Sequence, residues 1–178
     1  MVGIYGATTS DPHQREFLLK GGRFIHVDYP KAYTTLAFGI NDAGTVVGSA
    51  GLQHGSVYVS FMYDGTTFKR LRDGSDSATF AHGINDANSI VGGAGTIYGT
   101  TGFLESGRTF TPINFPGTNV YEYATDINNK GEIVGLAFNG LYSNAYTHDN
   151  DQFQNIDVPG ATINSASGIN DQALIVGY

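Results

Sequence analysis

A six-residue segment recurs four times along the chain at nearly constant spacing. It reads GINDAG at 39–44, GINDAN at 83–88, DINNKG at 126–131 and GINDQA at 168–173, at intervals of 44, 43 and 42 residues. A period of this length is typical of one four-stranded blade of a β-propeller. The recurrence therefore predicts an all-β chain, a propeller of four-stranded antiparallel blades with about four repeats of 42–44 residues.

Other landmarks keep the same register in every copy. An apolar pair and a glycine follow each GIND-like segment, and two aromatic residues then stand seven positions apart, as Phe61 and Phe68 do. Turn residues separate these landmarks, so each copy divides into four short strands. We place the repeats at about 2–46, 47–90, 91–133 and 134–175, with an extra strand at 176–178.

Two features of the repeat make specific structural predictions. In the N-D-x-G turn, the Asp or Asn side chain is expected to bond nearby backbone N–H groups, and the fourth residue to adopt a left-handed conformation. Ala173 holds that place in the last copy. A left-handed conformation costs alanine about 1 kcal/mol, so we expect the last turn to adopt a different bend from the other three. The glycine after each apolar pair predicts close approach by the backbone of a neighbouring blade.

The number of strands raises a question about ring closure. The valine-glycine strand occurs five times, because Val2 and Gly3 supply a copy at the start, whereas every other strand occurs four times. In a closed four-bladed ring, the strand ending at Asn170 would pair with the strand at 2–5, and 176–178 would compete for that place. We expect closure as a monomer, with a homodimer through sheet edges or a longer array as the alternatives.

Composition narrows the possible functions. The chain has 25 Gly, 11 Tyr and 11 Phe against nine Lys plus Arg, which favours tight turns between aromatic-rich strands. The formal charge of −7 repels phosphate backbones, so nucleic acid is not an expected partner. No run of about 18 apolar residues occurs, so membrane insertion is not expected. The absence of cysteine is compatible with any compartment.

The landmarks also resemble a known family. GIND, then V-G, then the aromatic-Leu pairs at 17–18 and 103–104, then V-P-G-A at 158–161, resemble the HAF-type extracellular repeat of bacterial proteins. The third copy departs from the pattern at Asp126 and Asn129. The resemblance implies a secreted or surface-located, propeller-like array, but this family has no agreed activity to transfer to these residues.

The recurring turn carboxylates are candidates for a metal site. Asp42, Asp86 and Asp171, with Asn129 in the remaining copy, have the oxygen donors that a ring around Ca²⁺ would need. Turn chemistry explains the same residues without a metal. We therefore expect no cofactor, and calcium is the alternative.

Unrepeated residues in the connecting segments are candidates for ligand binding, because loops on a fixed scaffold are where binding diversifies. Glu122 has a tyrosine on each side and coincides with a one-residue insertion. Tyrosine supplies amphipathic contact area for a sugar or a protein. The candidate ligand-binding residues are Tyr5, Tyr58, Tyr98, Tyr121, Glu122, Tyr123 and Tyr142.

These observations favour a non-catalytic extracellular binding or scaffold module that recognises a glycan or a protein through tyrosine-rich loops. One alternative is a carbohydrate-active enzyme, a glycoside hydrolase or lyase, in which Glu122 meets a second carboxylate. Another is a structural array that assembles through its sheet edges. The residues assign no catalytic group, so the question of enzymatic activity stays open.

Overall fold

A computed structural model describes residues 1–5, 15–52, 57–71, 78–96, 98–107, 109–117, 121–161 and 164–178. These residues form seventeen β-strands and no helix, which confirms the all-β prediction. Among them, no helix is long and apolar enough to cross a membrane.

The strands fall into five consecutive groups. The N-terminal unit contains β1 (Val2–Tyr5), β2 (Arg15–Lys20) and β3 (Arg23–His26). The first full unit contains β4 (Thr34–Ile40), β5 (Val46–Leu52), β6 (Val57–Tyr63) and β7 (Phe68–Arg70). The second full unit contains β8 (Ala78–Ile84), β9 (Ile90–Thr96), β10 (Gly99–Ser106) and β11 (Thr109–Ile113). The third full unit contains β12 (Tyr121–Ile127), β13 (Ile133–Phe138), β14 (Ser143–Asp149) and β15 (Gln152–Ile156), and the C-terminal unit contains β16 (Ala166–Ile169) and β17 (Ile175–Gly177).

Within each unit, successive strands pair antiparallel in chain order. A parallel pair between Thr100 and Tyr121 joins the second and third full units into one sheet. The N-terminal unit has the last three strands of the pattern, and the C-terminal unit has the first two. The predicted pairing of the strand ending at Asn170 with the strand at 2–5 is wrong here, because β16 pairs with β17.

The two recurrent glycines permit close approach to different neighbours. A Cβ on Gly48 would lie 1.9 Å from the carbonyl oxygen of Leu36, on the adjacent strand of the same unit, where a β-bulge shifts the register. The predicted approach by a neighbouring blade is therefore wrong for this glycine. A Cβ on Gly39, the first residue of GIND, would lie 2.6 Å from the carbonyl oxygen of His82 in the next unit. The GIND glycine thus permits contact between units.

Aromatic residues link the first and third full units to the unit before each of them. Phe61 and Phe68, seven positions apart, pack with their ring centroids 5.3 Å apart. Tyr29, from the end of the preceding unit, packs against both, at 5.7 and 5.4 Å. Phe115 packs in the same way against Tyr146 and Phe153, at 5.3 and 5.5 Å. The junctions between units are therefore part of the hydrophobic core.

Candidate functional site

Antiparallel pairing sends the connections of every unit to two opposite ends. One end, which we call the turn side, carries the turns between third and fourth strands and the four GIND turns, at 41–44, 85–88, 128–131 and 170–173. The other end, the loop side, carries the turns between second and third strands and the connections between units. Any functional surface at the strand ends must belong to one of these two sides.

On the turn side, polar groups of each GIND turn bond to the next turn. The Asn41 side chain donates from Nδ2 to the backbone oxygen of Asn85 at 3.2 Å, and the Asp42 N–H donates to Asp86 Oδ1 at 2.8 Å. Both bonds recur at the two later junctions, between residues 43 and 42 positions apart. The recurrence in the sequence therefore corresponds to a ladder of contacts between units.

The asparagine and aspartate side chains of these turns have different roles, which the sequence did not predict. The Asn41 Oδ1 accepts the backbone N–H of Thr45 in its own turn, as expected of an N-D-x-G turn. The Asp86 carboxylate instead accepts its bond from the preceding turn. Ala173 has a φ of 57°, close to the 59° of Asn88, so the prediction of a differently bent last turn is wrong.

The candidate calcium ring is bridged by an amide. Asn129 donates from Nδ2 to Asp86 Oδ2 at 2.9 Å and to Asp171 Oδ2 at 3.1 Å, and its backbone N–H donates to Asp171 Oδ1 at 2.8 Å. The backbone and side-chain bonds from Asn129 lower the pKa of Asp171. In the part of the chain that the structure describes, no group of three or more His, Asp or Glu residues has metal-binding geometry. The expectation of no cofactor, with calcium as the alternative, stays a prediction.

Strand alternation separates Glu122 from its neighbouring tyrosines. Tyr121 and Tyr123 point to one face of β12, and Glu122 points to the other. The Glu122 side chain is 4% exposed, and its Oε1 accepts the backbone N–H of Phe115 at 2.9 Å. Burial raises the pKa of Glu122 to about 7, although the bond from Phe115 partly offsets this effect. The structure therefore does not combine this carboxyl group and the two tyrosines into one site.

Glu122 occupies a position that recurs in structure but not in residue type. It stands four residues before the first residue of its GIND segment, as do Thr35, Thr79 and Asn164, which are also buried. In each copy the side-chain oxygen accepts a backbone N–H from the preceding unit or its following connection. An unrepeated acid thus has a repeated structural role, which comparison of residue types alone could not reveal.

On the loop side, the register aligns the ends of four strands. Thr100 pairs with Tyr121, Tyr121 with Phe138, and Phe138 with Ser143, so the ends of β10, β12, β13 and β14 lie side by side. Three strand spacings correspond to roughly 14 Å. We call the surface formed by Tyr98, Tyr121, Phe138, Leu141 and Tyr142 the aromatic rim.

The aromatic rim is open to solvent. Tyr98 is 85% exposed, Leu141 77% and Tyr142 53%. The rings of Tyr121 and Phe138 are stacked with centroids 6.5 Å apart. The Asn139 Oδ1 accepts the backbone N–H groups of Leu141 and Tyr142, at 3.0 and 2.8 Å, so the turn that presents them is internally bonded.

The remaining candidates lie apart from this rim. Tyr58 belongs to the first full unit and packs against Phe80, with ring centroids 5.4 Å apart. Tyr123 packs against His82 at 5.8 Å, within the junction between units. Tyr5 ends β1, and its side chain lies outside the described residues. Sequence reasoning missed Phe138, because its place beside Tyr121 depends on the register between β12 and β13.

The sequence matches no protein-family model, and a comparison with curated proteins finds no significant relative. The resemblance to the HAF-type repeat therefore stays a prediction.

Proposed function

We propose that this chain is a non-catalytic binding module whose units are blades of a β-propeller, and that the aromatic rim binds a glycan or a protein segment. The observation that carries the proposal is the alignment of the ends of β10, β12, β13 and β14, which brings the exposed Tyr98 and Tyr142 to the same edge as the half-buried Tyr121 and Phe138. A surface or extracellular location, as the HAF-type resemblance implies, is part of the same proposal.

The burial pattern supports a radial arrangement of the units. In β5, the second strand of the first full unit, Val46 to Gly51 are all buried, whereas β7, its fourth strand, is mostly exposed. Val47 belongs to a buried cluster with Ala81 and Ile84 of the next unit. The first and second strands thus lie near the junctions and the fourth strands lie outermost. Propeller blades have the same order of strands.

The chemistry of the rim favours a neutral ligand. Its described side chains carry no charge, while tyrosine offers an apolar ring and a hydroxyl that can donate and accept. The bonds that Asn139 Oδ1 accepts from the Leu141 and Tyr142 N–H groups order the 139–142 turn before any ligand binds, which lowers the entropic cost of binding. A length of roughly 14 Å suits an extended ligand lying across the strand ends.

The hydrolase alternative has less support. A glycosidase needs two carboxyl groups open to the substrate. The Glu122 side chain is 4% exposed and holds the N–H of Phe115, which accounts for its position without a substrate.

The proposal is tested by screening the labelled chain on a glycan array and on a peptide array. We expect binding to one of the two, and a loss of at least about tenfold in affinity for Tyr98→Ala and Tyr142→Ala, since each removes an aromatic contact. Leu174→Ala is the control, because Leu174 is 67% exposed and directly follows the 170–173 turn on the opposite, turn side. Binding that survives both rim substitutions would reject the assignment.

A further inference from the structure

The turn that presents Leu141 and Tyr142 at the aromatic rim contains an asparagine followed by a glycine. Asn139 is the one asparagine in the sequence that directly precedes a glycine. Both residues are exposed, and Gly140 has a φ of 97°, a conformation that glycine adopts without strain. Since glycine has no Cβ to shield its backbone nitrogen, the Gly140 N–H is open to a base from solvent.

The hydrogen bonds of this turn all converge on the side-chain oxygen of Asn139. Its Oδ1 accepts the backbone N–H groups of Leu141 and Tyr142, at 3.0 and 2.8 Å. In the part of the chain that the structure describes, neither the Gly140 N–H nor the Asn139 Nδ2 donates a hydrogen bond. Two donors thus point at the oxygen that would gain negative charge if a nucleophile attacked Asn139 Cγ. Donors in this position stabilise the tetrahedral intermediate of acyl transfer.

Asn129, an exposed asparagine on the turn side, has the opposite arrangement. Its Nδ2 donates to Asp86 Oδ2 and to Asp171 Oδ2, so the amide nitrogen is held by two carboxylates. The residue that follows it is Lys130, whose side chain shields the backbone nitrogen. Exposure alone therefore does not distinguish Asn139. The combination of an open nucleophile, an unbonded amide nitrogen and two donors to Oδ1 does.

We propose that Asn139 is a site of spontaneous deamidation, and that this modification gives the aromatic rim a negative charge. The chain is its own substrate, and water is the only other reactant consumed. The reaction depends on the turn alone, whereas its effect on ligand binding rests on the function proposed above.

The reaction has two steps and involves no oxidation or reduction. In the first step, the Gly140 nitrogen loses its proton to hydroxide, and its electron pair forms a bond to Asn139 Cγ within the same chain. The Cγ–Nδ2 bond breaks, Nδ2 takes a proton from water, and ammonia leaves behind a five-membered succinimide ring. In the second step, water adds to one of the two ring carbonyl carbons, and the bond from that carbon to the ring nitrogen breaks. The net change consumes one water and releases one ammonia.

The two products of ring opening affect the turn differently. Opening at Cγ gives aspartate, which keeps an oxygen for the N–H groups of Leu141 and Tyr142. Opening at the backbone carbonyl gives isoaspartate, in which the main chain passes through Cγ and is one methylene longer. We expect the longer main chain to displace Leu141 and Tyr142 from their places on the rim. Either product puts a carboxylate beside a surface whose described side chains carry no charge.

Incubation of the full chain at pH 8, followed by mass spectrometry of its peptides, tests the proposal. We expect conversion of Asn139 in the folded chain at least as fast as in the chain unfolded in urea, because only the folded turn holds both donors on Oδ1. The matched control Asn139→Gln keeps the amide but must close a six-membered ring, so its conversion should be at least about tenfold slower. Conversion in urea alone would show that the folded turn protects Asn139 and would overturn the proposal.

A second measurement separates the modification from the ligand proposed for the rim. Ion-exchange chromatography isolates the converted chain by its additional negative charge, and this fraction is applied to the same glycan and peptide arrays. We expect its binding to be at least about tenfold weaker than that of the unconverted chain. Equal binding by both chains would overturn the claim that the modification changes the rim. If the unconverted chain binds neither array, the proposed function fails, while mass spectrometry still decides whether Asn139 is modified.

Discussion

The turn side and the loop side are the two ends of the same strands, yet they are built from different kinds of residue. The turn side repeats its asparagines and aspartates at every junction and carries most of the described charged residues at strand ends. The loop side varies from unit to unit and exposes aromatic residues in the third full unit and its neighbour. Residues therefore recur where units contact each other, and they vary on the surface that takes no part in contacts between units.

The physical cause of this difference is hydrogen bonding. Each GIND turn satisfies buried polar groups of its neighbour, so a substitution there leaves a donor or acceptor without a partner. The aromatic rim satisfies no such groups, and its side chains can change at little cost to folding. Four substitutions test this division, from the largest expected effect to the smallest.

Asn85→Ala should destabilise the fold most. It removes the bond from Asn85 Nδ2 to the Asn128 oxygen and the bond from the Ser89 N–H to Asn85 Oδ1, at a cost of about 2–3 kcal/mol in the free energy of unfolding. Urea denaturation measures it. Asn170→Ala, in the exposed last turn, is the control with a smaller cost. Equal losses would mean that the ladder adds nothing beyond the turns themselves.

Glu122→Gln should stabilise the fold at alkaline pH. Because burial raises the pKa of Glu122 from 4.5 to about 7, folding favours the protonated form, and stability is lost as pH rises between these values. Gln keeps an oxygen for the Phe115 N–H and carries no charge. After allowance for solvent screening, we expect a gain of about 1 kcal/mol at pH 8 and little gain at pH 5.

Thermal melting of both chains at the two pH values measures this difference. A variant that is less stable than the parent at pH 8 would show that the ionised carboxylate is useful in the folded state. It would then return Glu122 to the list of functional candidates.

Asn129→Asp should cause a smaller, pH-dependent loss on the turn side. The new carboxylate would replace the amide that bridges Asp86 and Asp171, so like charges would raise the carboxyl pKa values in the folded state. The resulting deficit in melting temperature, about 3 °C at pH 7, should shrink as pH falls towards 4. Asn139→Asp on the loop side retains its acceptor role and should show no deficit. A deficit in melting temperature that does not change with pH would indicate that the loss of the Asn129 hydrogen bonds, and not repulsion between carboxylates, is its cause.

Tyr142→Ala should have the smallest effect on stability, within about 0.5 kcal/mol, because the side chain is largely exposed on the loop side. The same melting experiment detects any larger change. A loss comparable to that of Asn85→Ala would break the division between the two sides and would make the rim a structural element.

The all-β class and the four-stranded units could be predicted from the sequence, because period, glycine placement and aromatic spacing are local signals. The residue that each of these landmarks contacts could not be predicted from the sequence. Gly48 and Gly39 both predict close approach, but only the register and the bulge show that one faces its own sheet and the other the next unit. Ala173 adopts the positive φ that alanine disfavours, in a turn closed by bonds from the Ala173 N–H to the Asn170 oxygen and from the Leu174 N–H to Asn170 Oδ1.

The candidate site was predictable only in part for a related reason. Tyr98, Tyr121 and Tyr142 were identified as loop tyrosines, yet their alignment depends on a single parallel pair between Thr100 and Tyr121. Glu122 was selected because it is unrepeated, whereas its environment is shared with Thr35 and Thr79. A recurring residue type can be recognised from the sequence. A recurring structural environment can be occupied by different residue types, so it is recognised only from the coordinates.

The polarity of the turn ladder has a further implication for how such chains change length. Each of the first three turns donates its asparagine amide and a backbone N–H to the turn that follows, and each of the last three accepts the same groups from the turn before. A whole module can therefore be duplicated or lost in the gene without the invention of any new recognition surface. Size can evolve in steps of one module while the bonding rule stays constant.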